Sequence, residues 1–255
     1  MTSQTEKAEH FHALHRSGKP LVLFNAWDAG SANAVAKAGA PAVATSSWAV
    51  AAAQGYEDGE AIPMNLSVSI VERMVRATDL PLTADIEGGY AEDPERVAEN
   101  VIAFVQAGVV GINLEDRRVH GSGLYPASEQ AGRIAAIRRA CDQVGFRVFI
   151  NARTDLFFGA GGEIPHGELI DEAAERAASY AEAGADGLFV PGLADVDLIA
   201  DLCPRVSIPV NVMVGEATPP IADLARLGVR RVSFGPGPYI DAMAATTQAA
   251  SVALA

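Results

Sequence analysis

The chain has 255 residues, of which 49% are hydrophobic and 20% charged, with a formal net charge of −13. That acidity argues against nucleic acid, whose phosphates call for a basic face, and the composition argues against wholesale disorder. No run of about 18 strongly apolar residues is available to span a membrane.

The opening segment, MTSQTEKAEHFHALHRSGKP, has no apolar core and does not read as a signal peptide. Strands are then expected at 20–24 (PLVLF), 41–45 (PAVAT), 81–85 (PLTAD), 109–114 (VVGINL), 146–151 (FRVFIN), 186–190 (DGLFV), 208–213 (IPVNVM) and 230–234 (RRVSF). They are short, apolar and β-branched, as buried parallel strands are. Helical patterns alternate with them at 29–39, 66–79, 94–107, 128–144, 167–183, 194–203, 218–227 and 237–253. Gly39, Gly108, Gly184 and Gly228 each follow a helix and precede a strand, where a left-handed stop belongs. Asp93-Pro94 and Thr218-Pro219 read as capping residues before a proline-started helix.

Eight such units without a break in composition predict a single (β/α)8 TIM-type barrel over 1–255. The rival is a doubly wound open sheet, which calls for a Gly-rich phosphate turn after the first strand; NAWDAGSANA (25–34) supplies none. Cys141 and Cys203 lack metal-ligand spacing and fall in helical segments, so buried free thiols and a reducing cytoplasm are expected, with one disulfide as the alternative.

In a barrel the chemistry gathers at the strand C-termini. PLTADIEGGY (81–90), GVVGINLEDR (108–117) and FRVFINARTD (146–155) each end there in polar residues, which should bring Asp85, Glu87, Glu115, Asp116 and Arg153 to one rim. Crowded carboxylates repel one another, and a divalent cation relieves them. Asp85 and Glu87 flank Ile86 and by strand alternation should share a face, which suits Mg²⁺ with water-mediated ligands; the alternative is that they cap a helix or pair with lysine. Arg153 is either an ion-pair partner or the group that meets a substrate carboxylate or enolate oxygen. Ser46, Ser47 and Trp48 close the second strand as an anion clamp or a helix cap, and Asp58 lies on a Gly- and Pro-punctuated loop. His12, His15 and His166 read as surface residues, and SFGPGPY (233–239) as either a phosphate loop or a proline-started helix.

The series FNAWDAGSA (24–32), ATSSWAV (44–50), ADIEGGY (84–90), GINLED (111–116) and INARTD (150–155) resembles the isocitrate lyase/phosphoenolpyruvate mutase superfamily, in order and across essentially the whole chain. The resemblance implies a barrel whose eighth helix is often exchanged between subunits, giving a homodimer or homotetramer. It implies Mg²⁺, with Mn²⁺ as a substitute, and a small anionic carboxylic acid substrate cleaved beside its oxo group through a metal-stabilised enolate. By position, Asp85 resembles the direct metal ligand, and Glu87, Asp58 and Glu115 the acids that hold its water shell. Ser46, Ser47 and Trp48 fall where the oxo acid's carboxylate binds, Arg153 where developing charge is neutralised, and Asn211 near the substrate. Arg153, Glu115 and Asp58 are the catalytic candidates.

Two departures bear on the reaction. The loop RRVHGSGLYPASEQAGR (117–133) carries neither the Lys-Arg-Cys-Gly-His of the lyases nor the Lys-Thr-Asn-Ser of the mutases; His120, Ser122 and Tyr125 are its candidate proton donors. Pro191 stands where the lyases have an acid and the mutases a histidine. The expected activity is a Mg²⁺-dependent lyase on a small 2-oxo or 2-hydroxy acid, methylisocitrate lyase-like or oxaloacetate decarboxylase-like. The alternatives are P–C bond chemistry on a phosphonopyruvate-type substrate, and a barrel that binds 2-oxo acids without turnover.

Overall fold

The computed structural model describes residues 2–159 and 164–255. An N-terminal helix, α1 (Gln4–Leu14), precedes the strands β1 (Leu21–Leu23), β2 (Asn25–Ala26), β3 (Val43–Thr45), β4 (Leu82–Asp85), β5 (Gly111–Glu115), β6 (Phe149–Arg153), β7 (Gly187–Phe189), β8 (Val210–Met213) and β9 (Arg231–Ser233). Between and after them run α2 (Ala29–Lys37), α3 (Ser47–Ala53), α4 (Met64–Ala77), α5 (Pro94–Gln106), α6 (Ala127–Gln143), α7 (Ile170–Glu182), α8 (Val196–Leu202), α9 (Ile221–Arg226) and α10 (Gly237–Leu254).

All strand pairs are parallel, and β1 and β2 are two halves of one strand broken at Phe24. The first half pairs with β9 (Leu21↔Arg231) and the second with β3 (Asn25↔Ala44), which brings the sheet round into a TIM-type barrel. Asn25 fastens the joint: its Nδ2 donates to Thr45 O at 2.7 Å, while its Oδ1 accepts from the N–H groups of Phe234 and Gly235 at 2.8 and 3.0 Å. Those two N–H groups are thereby engaged within the chain, and SFGPGPY leads directly into α10.

Each expected strand is present with its ends shifted by a few residues. The four glycine stops all have positive φ, and Asp93 caps α5 by accepting from the Arg96 N–H at 3.0 Å. Thr218 does not cap a helix. Its hydroxyl accepts from the Gly215 N–H at 2.8 Å inside a loop, and α9 begins only after Pro220, because two successive prolines remove the donors an earlier turn requires.

The helices bury apolar stripes against the outside of the sheet, with Val97, Val101 and Phe104 of α5 and Ile134 and Ile137 of α6 fully enclosed. The inside of the barrel is layered. At its N-terminal end Phe11 of α1 joins Leu21, Leu23, Ala42, Ala44, Val110 and Phe149 in a separate apolar cluster. Gly111 makes room for it, since a Cβ there would lie 2.9 Å from the Phe11 ring. His15, expected at the surface, is instead 2% exposed and stacks on Phe149 at 4.0 Å, with its Nδ1 against Phe11 O at 2.8 Å. Above that plug, Asn113, Asn151, Asn211 and Arg231 form a buried polar layer. Asn151 Nδ2 bridges the side-chain oxygens of Asn113 and Asn211 at 2.9 and 3.0 Å, and Arg231 donates to Asn113 Oδ1 at 3.0 Å. The strand C-termini lie beyond this layer.

Among the described residues, no helix is long and apolar enough to cross a membrane. Cys141 and Cys203 are free thiols, and burial pushes both up to about 11.

Candidate active site

The C-terminal ends of the strands enclose a pocket of about 80 Å³, lined by the acids Asp58, Asp85 and Glu115, the base Arg153, the polar residues Asn25, Ser46, Ser47, Asn113 and Ser233, and an apolar flank. Two larger hollows, of about 620 and 540 Å³, open at the opposite end of the barrel around His15 and Arg16. The smaller one is the site, because that is the end where carboxylates converge and where barrel chemistry resides.

Asp85 ends β4. Its N–H is held by Thr45 Oγ1 at 2.8 Å, and its Oδ2 accepts from the Ser47 hydroxyl at 2.9 Å. Its Oδ1 is buried and accepts no hydrogen bond from the described residues. Glu87 does not continue the alternation. The strand stops at Asp85, and Glu87 takes a left-handed φ of 52°, so its side chain turns under the loop after α3. There Oε2 accepts from the Glu60 N–H at 2.7 Å, while Oε1 is buried without a partner among the described residues. Glu87 therefore lies beside the pocket and does not line it. Burial, with Asp58 and Asp85 nearby, pushes its carboxyl up to about 7.

Register sets Glu115 directly beside Arg153 across β5 and β6. Arg153 Nη1 meets Glu115 Oε2 at 3.0 Å, and its Nε and Nη2 grip both oxygens of Asp155 at 2.5 and 2.9 Å. Burial lifts the Glu115 carboxyl well above its ordinary range against the opposing charge of Arg153. For Arg153 burial works against the cation, but Glu115, Asp155 and Asp85 outweigh it and secure the charge.

Asp116, expected on the same rim, faces the opposite side of the sheet. Its Oδ2 accepts from Tyr180 OH at 2.8 Å and Arg176 Nη1 at 3.1 Å, and its Oδ1 from the Asp155 N–H at 3.0 Å. Alternation explains this: Glu115 points inward, so its neighbour must point out. Ser46 caps α3, accepting from the Ala49 N–H at 3.4 Å, and lines the pocket as well. Trp48 lines it at 37% exposure, and Asp58 stands at the exposed mouth. Asn211 lies below the floor, with its amide donating to Val212 O, Arg231 O and Ser233 Oγ.

Sequence reasoning passed over Asn25, Asn113, Asp155 and Arg231. Asp155 was legible in ARTD only as one more acid; its bidentate hold on Arg153 depends on the turn after β6. Arg231 is 1% exposed, and burial, opposed in part by the charge of Asp85, lowers it to about 9.

No three His, Cys, Asp or Glu side chains among the described residues converge closely enough to hold a bare metal ion. The donor set nonetheless fits a hydrated one. Asp85 Oδ1 and Glu87 Oε1 are buried acceptors without donors among the described residues, and Mg²⁺ characteristically uses one or two carboxylates and keeps several waters.

A family model described as phosphoenolpyruvate phosphomutase matches residues 11–254. An uncharacterised protein of Mycobacterium tuberculosis (strain ATCC 25618 / H37Rv) is 35% identical over 240 residues, covering 94% of this chain and 87% of that protein. The oxaloacetate decarboxylase of Pseudomonas entomophila (strain L48) is 32% identical over 194 residues, 72% of this chain and 63% of that enzyme. A Burkholderia cenocepacia J2315 structure provisionally assigned as a phosphonomutase superposes with a TM-score of 0.93 at 51% identity, covering 99% of both chains. The same fold recurs at 24% identity and a TM-score of 0.83 in a phosphonopyruvate hydrolase complexed with oxalate and Mg²⁺, covering 95% of this chain and 84% of that one.

Proposed function

We propose that this chain, which belongs to the phosphoenolpyruvate phosphomutase family within the isocitrate lyase/phosphoenolpyruvate mutase superfamily, is a Mg²⁺-dependent lyase that cleaves a C–C bond beside the oxo or hydroxy group of a small carboxylic acid. The observation that carries this reading is the meeting of Asp85, Glu115 and Arg153 in one pocket at the strand C-termini. The oxaloacetate decarboxylase relative supports the reaction class.

Asp85 would hold the cation directly, with Mn²⁺ able to replace Mg²⁺, and Glu87, Asp58 and Glu115 would hold its waters. When bound, the cation supplies positive charge beside the substrate's oxo oxygen. Ser46 and Trp48 form the wall against which the carboxylate lies, and the Ser47 hydroxyl orients Asp85. Arg153 meets the negative charge that grows on the oxo oxygen as the bond breaks. Asp155 and Glu115 hold its fork in place beforehand, so no reorganisation accompanies that step. Asn211 positions the floor through Asn151 and Ser233. A homodimer or homotetramer completes the proposal, as the exposed last helix favours.

The 51% identical phosphonomutase-assigned structure favours a second reading, P–C bond chemistry on a phosphonopyruvate-like acid. One panel separates the two: 2-oxo acids, methylisocitrate-like acids and phosphonopyruvate, each with Mg²⁺ and with EDTA, assayed for turnover and thermal shift. A ligand at about 100 times its dissociation constant adds about 2.7 kcal/mol of stability, so binding registers even where turnover does not. Cleavage of a carbon acid that EDTA abolishes and Mg²⁺ restores is expected. Turnover of phosphonopyruvate alone would establish the second reading, and Mg²⁺-dependent binding without any turnover would make the barrel a binder.

A further inference from the structure

We infer that Arg231, a positioning residue outside the pocket, loosens the grip of the acidic rim on Mg²⁺ and strengthens the hold of the Mg²⁺-loaded pocket on an anionic acid. This rests on the Mg²⁺-dependent, 2-oxo acid reading of the site and goes beyond it.

Arg231 is a buried cation held by a neutral group. It is 1% exposed on β9, and its Nη2 donates to Asn113 Oδ1 at 3.0 Å. Its Nε and Nη1 are buried and have no partner among the described residues. Arg153 and Arg176, by contrast, each meet two carboxylates, and Arg133 is held by the carbonyls of Gly88 and Ala91 and the side chain of Gln130. Stability does not call for a charge at Arg231. A buried cation gives up its hydration, and an apolar side chain of similar volume often serves a fold as well or better. Asn113 Oδ1 would keep its other donor, Asn151 Nδ2 at 2.9 Å. What the residue supplies is a fixed positive charge, which a guanidinium keeps where a buried ammonium readily loses its proton.

Its place in the barrel decides what that charge does. Register pairs Asn113 with Asp85 across β4 and β5, and Asn113 lines the pocket together with Asp58, Asp85 and Glu115. The guanidinium therefore lies one side chain beneath the acids proposed to hold the cation, and Asp85 is the acid whose charge bears on it. Arg231 does not line the pocket and is sealed from solvent, so its field reaches the site with little screening. A positive charge in that position repels a divalent cation and attracts a carboxylate. The lining itself carries three acids against one base, Arg153. Left to those groups, the site would favour the metal over an anionic substrate; Arg231 shifts the balance toward the anion.

The test measures two affinities of the full-length protein by calorimetric titration: Mg²⁺ alone, and oxalate with Mg²⁺ saturating. A pH of about 8, above the Glu87 carboxyl at about 7, keeps proton competition with the metal small. Wild type is compared with Arg231→Met and Arg231→Gln, which both remove the charge, the second with an amide that can still donate to Asn113. Both variants should bind Mg²⁺ at least about fivefold more tightly and oxalate at least about fivefold more weakly. A merely structural role would weaken the two together, by loosening the layer that Asn113 shares with Asn151. Any result other than these opposite shifts overturns the inference, and one folded variant is enough to decide it. Failure of both variants to fold would make Arg231 a stability residue and overturn it too. If wild type binds no oxalate in the presence of Mg²⁺, the 2-oxo acid reading itself fails, and this inference falls with it.

Discussion

The Arg153 guanidinium is fixed along one edge by Asp155 and at its tip by Glu115, an arrangement that only a planar fork can satisfy. Arg153→Lys keeps the charge but not the paired geometry. Turnover should fall roughly a hundred- to thousandfold, the loss typical when a transition-state donor is removed, while the Mg²⁺-induced thermal shift survives. Loss of that shift along with activity would mean that Arg153 supports the metal site instead. Asp85→Ala should do the converse. Its Oδ1 has no donor among the described residues, so removing it relieves crowding and leaves the metal-free melting temperature unchanged or higher, but abolishes the Mg²⁺ response. A variant that still gains stability from Mg²⁺ would show that Asp85 is not the principal ligand. Gly192 matters to the same corner of the pocket. It has φ +86°, and a Cβ there would fall 2.0 Å from Phe157 O, so the backbone that carries Phe158 packs on a bare α-carbon.

Among the elements, α1 makes a contribution that depends on pH. It is started by a Ser3–Glu6 capping box, and it closes the barrel through Phe11 and the stacked His15. Burial, reinforced by the charge of Arg231, lowers His15 to about 3, against a partly compensating hydrogen bond to Phe11 O. The sign follows from linkage. The unfolded chain takes up a proton near pH 6.5 and the folded chain does not, so the stability contributed by neutral His15 is complete above about 6.5. It is lost as pH falls toward the folded value. Below pH 6.5 this residue contributes a slope of up to about 1.4 kcal/mol per pH unit to urea melts, while Glu87, lifted to about 7, contributes one of opposite sign. His15→Gln should remove the histidine contribution, lowering the slope between pH 6.5 and 5 relative to wild type by up to about 1.4 kcal/mol per pH unit. An unchanged slope would mean that α1 undocks, or admits the proton, without involving the rest of the barrel.

At the scale of the molecule, α10 is out of keeping with an isolated barrel. Of its 18 residues only Pro238 is buried, and Ile240, Val252 and Leu254 are 50%, 70% and 88% exposed. A helix so apolar and so bare gains by meeting another surface. Light scattering at micromolar concentration should give a dimer or tetramer, and deletion of residues 244–255 should give a monomer; a monomeric full-length protein would refute the assembly. The deletion should also weaken 2-oxo acid binding. Tyr239 at the base of α10 packs edge-on against Trp27 and Trp48 at 5.2 and 6.0 Å, and Trp48 lines the pocket.

The amino-acid order by itself determined the alternation of strands and helices, the barrel, and the rim on which Asp85, Glu115 and Arg153 appear. These are local consequences: short β-branched runs make strands, glycine stops end helices, and parallel strands deliver their last residues to one end. Which way a side chain turns at that rim was decided only by tertiary structure. Glu87 left the strand's alternation because the chain turns through a left-handed residue after β4, and Asp116 found Arg176 and Tyr180 on a helix 60 residues further on. His15 and α1 escaped notice for a related reason. Two or three apolar residues among charges reveal no stripe, and it takes the open end of a barrel, assembled from four distant strands, to make Phe11 and His15 a plug. Sequence periodicity records what each segment buries; the partner that buries it, and hence the pairing of every polar group at the site, is a property of the closed sheet.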